Sequence, residues 1–257
     1  MKTTADSMIL LLLLTWESEG VDHGLAAALL SHIRAGVLFI NSNEDNSGQG
    51  LLALGDSFTS GGGLQSYPHV AANLLNWQVG NFAVGGSKTT DIWLQLLRAN
   101  SVLHMATHVV LTIGGNDLEG LQSLAGIAQL NMTLFEERCA NFKPKLVSTY
   151  KQIKSSLRAD AKFYALPYVD FVSVGNKIPY EAESHRVMQT MNNLVRNAAI
   201  EANVNYVDTI VSAFLGHEMY STDSYIDDFS HPTNPLHPNL KGYAKIGEVL
   251  AAYLLAN

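Results

Sequence analysis

Cysteine is almost absent from this chain of 257 residues, and several familiar motifs are missing altogether. The one cysteine, Cys139, excludes an internal disulfide and a zinc site built on paired thiolates, and we expect it to be a buried structural thiol. The sequence also lacks a Walker A motif, an HExxH motif and a G-x-G-x-x-G segment between a strand and a helix. The commonest sequence signals for nucleotides, catalytic zinc and dinucleotides are therefore all missing.

Runs of basic residues are lacking too. The chain has 16 Lys and Arg residues against 23 Asp and Glu residues, which gives a formal net charge of -7. An acidic chain without a cationic cluster has no electrostatic footprint for nucleic acid, so we predict no nucleic-acid partner. Hydrophobic residues make up 47% of the chain and charged residues 15%, a composition that supports a sizeable buried core and excludes wholesale disorder.

The N-terminal segment is apolar but short. Its uncharged run, Met8–Leu14, cannot span a bilayer, so we predict no stable membrane span. Two interpretations stay open: a secretory signal peptide cleaved after Gly20, which makes the protein secreted, or an amphipathic helix of a cytoplasmic protein. The polar stretch Asn41–Gly50 has the composition of a linker. We therefore divide the chain into an N-terminal extension, 1–49, and a main domain, 50–257.

Short apolar runs alternate with longer segments of helical periodicity in the main domain. The candidate strands are Leu51–Leu54, Trp77–Ala83, His108–Ile113, Ala161–Leu166 and Val204–Asp208. The candidate helices are Tyr67–Leu75, Thr90–Ala99, Phe142–Ala159, Ser184–Ala202 and Asn239–Leu255. Continuously apolar strands that alternate with helices predict an α/β domain with a parallel sheet covered on both faces. In such sheets, ligands bind beyond the carboxyl ends of the strands.

Polar, glycine-rich clusters follow the first three candidate strands: "GDSFTSGGG", "NFAVGGSKTTD" and "GGNDLEG". Ser57 in the first cluster is a candidate nucleophile, and a nucleophilic serine needs a base and donors for the oxyanion. His237, just before the last helix, can be the base. The Gly86 N–H and the Asn116 side-chain amide can be the donors. Each cluster alone is an ordinary turn sequence, but their joint placement at one sheet edge favours an active site.

Four segments in this order carry a family resemblance: "GDSFTSG", "NFAVGG", "GGND" and "HPNLKGY". Over residues 50–257 the chain resembles the SGNH hydrolases, also called the GDSL lipase/esterase family. The resemblance implies a three-layer α/β/α sandwich with a flavodoxin-like parallel sheet, and it implies no metal and no organic cofactor. It also implies Ser57 as nucleophile, an oxyanion hole formed by the N–H groups of Ser57 and Gly86 with the Asn116 amide, and His237 as general base. The G-x-S-x-G elbow of the α/β-hydrolases is missing.

The chain departs from the family pattern three residues before His237, where Asn234 replaces the usual aspartate. Three interpretations are open. Asn234 or a nearby backbone carbonyl orients the imidazole, as in Cys-His-Asn enzymes, and the protein works as a Ser-His dyad or atypical triad. Alternatively, Asp227 or Asp228 supplies the carboxylate. In the third, the base is His231, preceded by Asp228 at the same spacing. The helical segment that directly follows His237 favours His237.

These residues together predict a serine esterase or lipase that hydrolyses carboxylic esters through an acyl-enzyme. The predicted partner is a small-molecule or lipid ester. Two alternatives are a non-catalytic binding protein of the same fold and an acyltransferase to an acceptor other than water. Asp56 and Asp117 flank the predicted site residues and are expected to hold its loops in place, and the segment Leu121–Cys139 is a candidate for shaping the acyl pocket or a lid.

Overall fold

The structure is a computed structural model and describes residues 48–61, 65–118, 132–231 and 234–257. The predicted N-terminal extension therefore lies outside the described residues, except for its last two positions. So do the apolar run and the cleavage site proposed there, and the first part of the Leu121–Cys139 segment. In the part of the chain that the structure describes, no helix combines the length and apolar character needed to cross a bilayer.

A parallel sheet of five strands forms the centre of the domain, in the order β2-β1-β3-β4-β5. The strands are β1 Gly50–Gly55, β2 Gln78–Asn81, β3 His108–Thr112, β4 Lys162–Ala165 and β5 Asn205–Tyr206. This order is that of flavodoxin-like doubly wound sheets. Every residue of β1 and β3 is buried, because helices cover both faces, which explains why these strands are continuous apolar runs in the sequence.

Helices flank the sheet in two packed groups. In one group Leu240–Ala256 packs on Tyr67–Leu75, and in the other Met132–Ser156 packs on both Ile92–Arg98 and Glu181–Glu201. The described helices are α1 Ser57–Ser60, α2 Tyr67–Leu75, α3 Ile92–Arg98, α4 Met132–Ser156, α5 Glu181–Glu201, α6 Thr209–Ser212 and α7 Leu240–Ala256. A 3₁₀ turn, Thr89–Asp91, leads into α3. Apolar residues of α7 at helical spacing, among them Tyr243, Ile246 and Leu250, are buried and join the core.

The largest error of the sequence-based assignment concerns α4, which begins at Met132 and not near Phe142. Pro144 lies inside this helix, although a proline interior to a helix loses a backbone hydrogen bond and usually marks a boundary. Phe135 and Cys139, one turn apart, bury the early part of the helix and offset that loss. Burial raises the pKa of the Cys139 thiol to about 12, so the thiol stays protonated.

Smaller differences affect the ends of other elements. The helix predicted to begin at Ser184 begins at Glu181, and β5 has two residues where five were predicted. The four-residue helices α1 and α6 were not predicted, since one helical turn carries too little periodicity to recognise.

Gly55 ends β1 at a position that only glycine can occupy without strain. Its φ is +134°, and a Cβ there would lie 2.3 Å from the Thr112 carbonyl oxygen and 2.9 Å from the Thr59 hydroxyl. The Gln95 side chain also brackets Gly55, accepting from its N–H and donating to its carbonyl oxygen, each at 2.8 Å. The strand end that carries the candidate nucleophile is therefore closely held by backbone and side-chain neighbours.

We expect Gly55→Ala to lower the free energy of unfolding by about 3 kcal/mol or more, because backbone strain and overpacking add at this site. Denaturant unfolding followed by circular dichroism measures the loss. Gly175→Ala is the matched control, since Gly175 has a φ of +100° but nothing within 4 Å of a new Cβ. The control should lose only about 1–2 kcal/mol from the backbone strain. Equal losses in the two variants would contradict the steric account.

Candidate active site

Ser57 lies at the carboxyl edge of the sheet, two residues after the end of β1, as the first residue of α1. The side chain of Asp56 caps this short helix by accepting from the Phe58 N–H at 3.0 Å. Gly61 ends the helix in the left-handed conformation, with a φ of +82°. The Ser57 hydroxyl is thus presented at a half-buried position on a tightly capped turn.

His237 meets Ser57 across 180 residues of sequence, with 2.7 Å between its Nε2 and the serine Oγ. The other ring nitrogen, Nδ1, lies 2.9 Å from the Pro235 carbonyl oxygen. A carbonyl only accepts, so Nδ1 carries the proton and the Ser57 hydroxyl donates to the unprotonated Nε2 of the neutral imidazole. The ring is therefore in the tautomer that can take a proton from the serine.

The surroundings of His237 favour its neutral form. Burial lowers the pKa of the imidazole, while the Pro235 carbonyl and the negative charge of Asp227 partly oppose that decrease. The Phe58 ring lies against the imidazole, with 4.9 Å between the ring centroids. A histidine with a lowered pKa stays unprotonated at lower pH than an exposed histidine does, so it can still accept a proton there.

A left-handed residue, Leu236, places the Pro235 carbonyl beside the imidazole. Leu236 has a φ of +65°, a conformation that costs a non-glycine residue about 1–3 kcal/mol. Two backbone hydrogen bonds of 2.9 Å hold it there: the Leu236 N–H donates to the Asp227 carbonyl, and the Asp227 N–H donates to the His237 carbonyl. The strained residue lies between Pro235 and His237 in the sequence, so its conformation sets the position of the Pro235 carbonyl relative to the imidazole.

The Asn234 side chain lies near the hydroxyl of Tyr243. Burial raises the pKa of Tyr243, and the Asn234 side chain nearby opposes that rise. The geometry falls short of a hydrogen bond, and the buried Asn234 Nδ2 has no partner among the described residues. The Tyr243 hydroxyl in turn lies 3.3 Å from the Ser57 carbonyl oxygen, to which it donates. The structure thus gives His237 Nδ1 the Pro235 carbonyl as its acceptor, whereas the Asn234 side chain lies near Tyr243.

The alternative pair, Asp228 and His231, lies together on the surface. The His231 Nδ1 is 3.2 Å from the Asp228 carboxylate, and the histidine side chain is 60% exposed. Asp228 also accepts from the N–H and the hydroxyl of Ser230. Within the described ranges, neither Asp228 nor His231 has a hydrogen bond with Ser57.

The glycine cluster after β2 lies beside the serine. The Val84 N–H donates to the Gly55 carbonyl at 3.1 Å, which extends the pairing of β2 with β1 past the end of the strand. A Cβ added at Gly85 would lie 3.9 Å from the Ser57 Cβ. Gly86 has a φ of +78° and open space around it. Among the described residues, the Gly86 N–H has no acceptor, so it is available to a ligand.

The asparagine cluster after β3 is tied to the glycine cluster. The Asn116 Nδ2 donates to the Ser87 carbonyl at 2.9 Å, and its second hydrogen has no acceptor in the part of the chain that the structure describes. Asp117 accepts from the Thr89 N–H at 2.8 Å and from the Thr89 hydroxyl at 2.6 Å, and Lys145 lies 3.2 Å from the same carboxylate. Asp117 therefore links the two clusters, as the sequence suggested.

The main-domain sequence matches the model of the GDSL-like lipase/acylhydrolase family over residues 53–245. The chain belongs to that family. Membership makes the protein an ester-bond hydrolase, and it confirms both the family resemblance and the enzyme class predicted from the four sequence blocks. A search of curated proteins found no match.

Solved structures share the fold of this GDSL-family chain. A phospholipase A1 from Streptomyces albidoflavus NA297 is 22% identical with a TM-score of 0.66, covering 79% of this chain and 98% of that one. An extracellular lipase from Streptomyces rimosus is 23% identical with the same TM-score, covering 79% and 99%. An acetylxylan esterase from Geobacillus stearothermophilus is 18% identical with a TM-score of 0.55, covering 80% and 94%. These likenesses confirm the predicted α/β fold.

The sequence analysis of this GDSL hydrolase missed several residues that build the site. Gln95 and Tyr168 were not singled out, Tyr243 was expected only to pack the last helix on the sheet, and the backbone acceptor at Pro235 has no side-chain signal. Gln95 had one usable signal: it is a polar residue on the face of α3 that also carries the buried Ile92 and Leu96. Among the described residues, no group of His, Cys, Asp and Glu side chains is placed to hold a metal ion.

Proposed function

We propose that this GDSL-family hydrolase cleaves carboxylic esters through an acyl-enzyme formed on Ser57, with His237 as general base. The observation that carries the proposal is the 2.7 Å contact between the serine Oγ and the imidazole Nε2, combined with the tautomer that the Pro235 carbonyl imposes. A serine hydroxyl is a weak nucleophile until a base accepts its proton, and this contact supplies the base.

The first half of the reaction acylates the serine. Ser57 Oγ attacks the ester carbonyl carbon while its proton passes to His237 Nε2, and the carbonyl oxygen becomes an oxyanion. The N–H groups of Ser57 and Gly86 and the free Asn116 amide hydrogen receive that charge. Collapse of the tetrahedral intermediate breaks the ester C–O bond, and the imidazolium gives its proton to the departing alcohol.

The second half regenerates the enzyme. Water attacks the acyl carbon and passes a proton to His237 Nε2, so that a second oxyanion forms in the same hole. When this intermediate collapses, Ser57 Oγ leaves with the proton from the imidazolium, and the carboxylic acid is released. Each half of the reaction therefore returns the imidazole to its neutral form.

The imidazolium that forms in each half of the reaction is oriented by the Pro235 carbonyl without a direct carboxylate partner. A carbonyl dipole fixes the ring but stabilises its positive charge less than an ionised carboxylate does. The nearby charge of Asp227 contributes from a distance, since it partly opposes the decrease that burial causes in the pKa of His237. The protein therefore acts as a Ser-His dyad with a backbone acceptor.

Replacing Asn234 with aspartate tests this assignment. We expect kcat/KM to change by less than about threefold, equivalent to roughly 0.7 kcal/mol, because Nδ1 already donates to Pro235 and the side chain at 234 lies toward Tyr243. Asp228→Asn is the control, since that carboxylate pairs with the exposed His231. A gain of about tenfold or more in Asn234→Asp would show that a carboxylate at this position reaches the imidazole.

The substrate is proposed to be a small-molecule or lipid ester. Support comes from the solved relatives, which include a phospholipase A1, an extracellular lipase and an acetylxylan esterase. Initial rates with p-nitrophenyl esters of increasing acyl length test the function and determine the chain preference. We expect turnover with at least one of them. Absence of turnover at every length by the folded protein would favour the non-catalytic binding protein, and ester formation with added alcohols would reveal acyl transfer.

A further inference from the structure

Tyr168, a residue outside the proposed catalytic machinery, joins two loops of the active site. It follows β4 and is fully buried, with its hydroxyl between the loops after β1 and β3. The Tyr168 hydroxyl donates a hydrogen bond to the second carboxylate oxygen of Asp56, and it accepts from the Gly115 N–H at 2.9 Å. Asp56 directly precedes the nucleophile, and Gly115 directly precedes Asn116.

The far side of Tyr168 is fixed to a long helix. Asn192 of α5 accepts from the Tyr168 N–H at 2.9 Å and donates to the Tyr168 carbonyl at 2.8 Å. The Phe58 ring packs edge-on against the phenol, with 5.0 Å between centroids. Because its backbone and its ring are both held in place, Tyr168 can fix the positions of the two loops relative to each other, as supporting residues of preorganised sites do.

We propose that Tyr168 is a positioning residue: it fixes the position of the Asn116 side-chain amide, a donor to the oxyanion, relative to the Ser57 hydroxyl. This inference rests on the proposed function. The linkage runs from the Asn116 loop through the Gly115 N–H and the tyrosine oxygen to Asp56. From there it reaches the cap of α1, because the other Asp56 oxygen accepts from Phe58.

The contacts of Gly55 with Gln95 hold the end of β1, and the Tyr168 hydroxyl ties the Asn116 loop to that fixed end. Gly114 and Gly115 precede Asn116, and Gly55 precedes Asp56, so glycine lies on both approaches to the site. Burial raises the pKa of Asp56 to about 7, and the hydrogen bond from Tyr168 opposes the rise. The hydroxyl thus supports the ionised carboxylate, which accepts from Phe58 and Tyr168 together.

Tyr168→Phe tests the proposal, because it removes one oxygen and keeps the ring. We expect kcat for a p-nitrophenyl ester to fall about tenfold to a hundredfold, the range that a misplacement of about 1 Å produces, with KM nearly unchanged. Tyr164→Phe is the matched control: Tyr164 lies four residues earlier, in β4, and its buried hydroxyl has no partner in the described chain. The control should keep wild-type kcat. Equal kcat in both variants would overturn the proposal.

A double-variant comparison separates positioning from general stabilisation. Asn116→Ala alone should lower kcat about 10²- to 10³-fold, as loss of one oxyanion donor does. If Tyr168 acts through Asn116, adding Tyr168→Phe to that variant should cause only a small further loss. A full multiplicative loss would overturn the proposal, since it would show that the two residues act independently.

Two further measurements keep the outcome interpretable. Should Tyr168→Phe fail to fold by near-ultraviolet circular dichroism, Asp56→Asn takes its place, and the same fall in kcat at unchanged KM is expected. An Asp56→Asn variant that folds and keeps wild-type kcat would overturn the linkage. Wild-type turnover is measured first: its absence at every ester length contradicts the proposed function, whereas a turnover that Tyr168→Phe leaves intact contradicts the positioning role alone.

Discussion

Ser57→Ala should lower kcat for p-nitrophenyl esters by about 10⁴- to 10⁶-fold, as loss of the nucleophile does in serine hydrolases whose residues act as a unit. The variant keeps the Gly86 and Asn116 donors, so weak turnover above the rate in water should remain. Folding should be preserved, since Ser57 is half-buried and, among the described residues, its side chain forms a hydrogen bond with the imidazole alone. Steady-state kinetics and thermal melting measure the two quantities separately.

Ser60→Ala is the matched control for this prediction. Ser60 lies in the same short helix, is also half-buried, and its hydroxyl is 3.5 Å from the Ser57 carbonyl oxygen. Removing it should change kcat by no more than about twofold, the kinetic size of an ordinary surface substitution. A Ser57→Ala variant that retains activity close to that of Ser60→Ala would contradict the role of Ser57.

His237→Ala should lower kcat by about 10⁴-fold or more, because the serine proton then has no acceptor. Among the described residues, His237 is the base within hydrogen-bond distance of Ser57 Oγ. His231→Ala should change kcat by no more than about twofold, since its exposed ring pairs with Asp228 on the surface. Initial rates of the two variants on one ester decide between them.

The opposite pattern would contradict the assignment of the base. Loss of activity in His231→Ala, with His237→Ala still active, would mean that the loop containing Asp228 moves over the serine. The Asp228-x-x-His231 pair would then be the working dyad, and the 2.7 Å contact of His237 would be structural. The two histidines share a loop but differ in burial, so the comparison is internally controlled.

Much of the fold could be predicted from local pattern. Helix α2 has the predicted bounds, Tyr67–Leu75, because its apolar spacing and the proline near its start agree. Strand β1 was recognisable because a strand buried on both faces has no polar alternation. The start of α4 could not be predicted, since Pro144 imitates a helix boundary and only the tertiary burial of Phe135 and Cys139 offsets it.

The candidate site likewise has features that the sequence predicts and features that it does not. The serine, glycine, asparagine and histidine clusters each follow or precede a recognisable element, so the topology of a parallel sheet predicts that they meet. A backbone carbonyl was one of the acceptors considered for His237, but the sequence could not identify it as that of Pro235, because the left-handed Leu236 places it and a leucine gives no sign of that conformation. The Tyr168 link joins two loops, and the residues it contacts there, Asp56 and Gly115, are 59 positions apart in the sequence. Only the folded structure shows that Tyr168 contacts both.

Covalent labelling by an organophosphonate ester tests the central claim most directly, because the reagent reacts with an activated serine and gives a stable adduct. The folded wild-type protein is incubated with the reagent, digested and examined by mass spectrometry. The Ser57–His237 account predicts one adduct, on the peptide that contains Ser57, and much slower labelling of His237→Ala. An ester-hydrolysing wild-type protein that carries no adduct, or carries it on a different residue, would contradict the account.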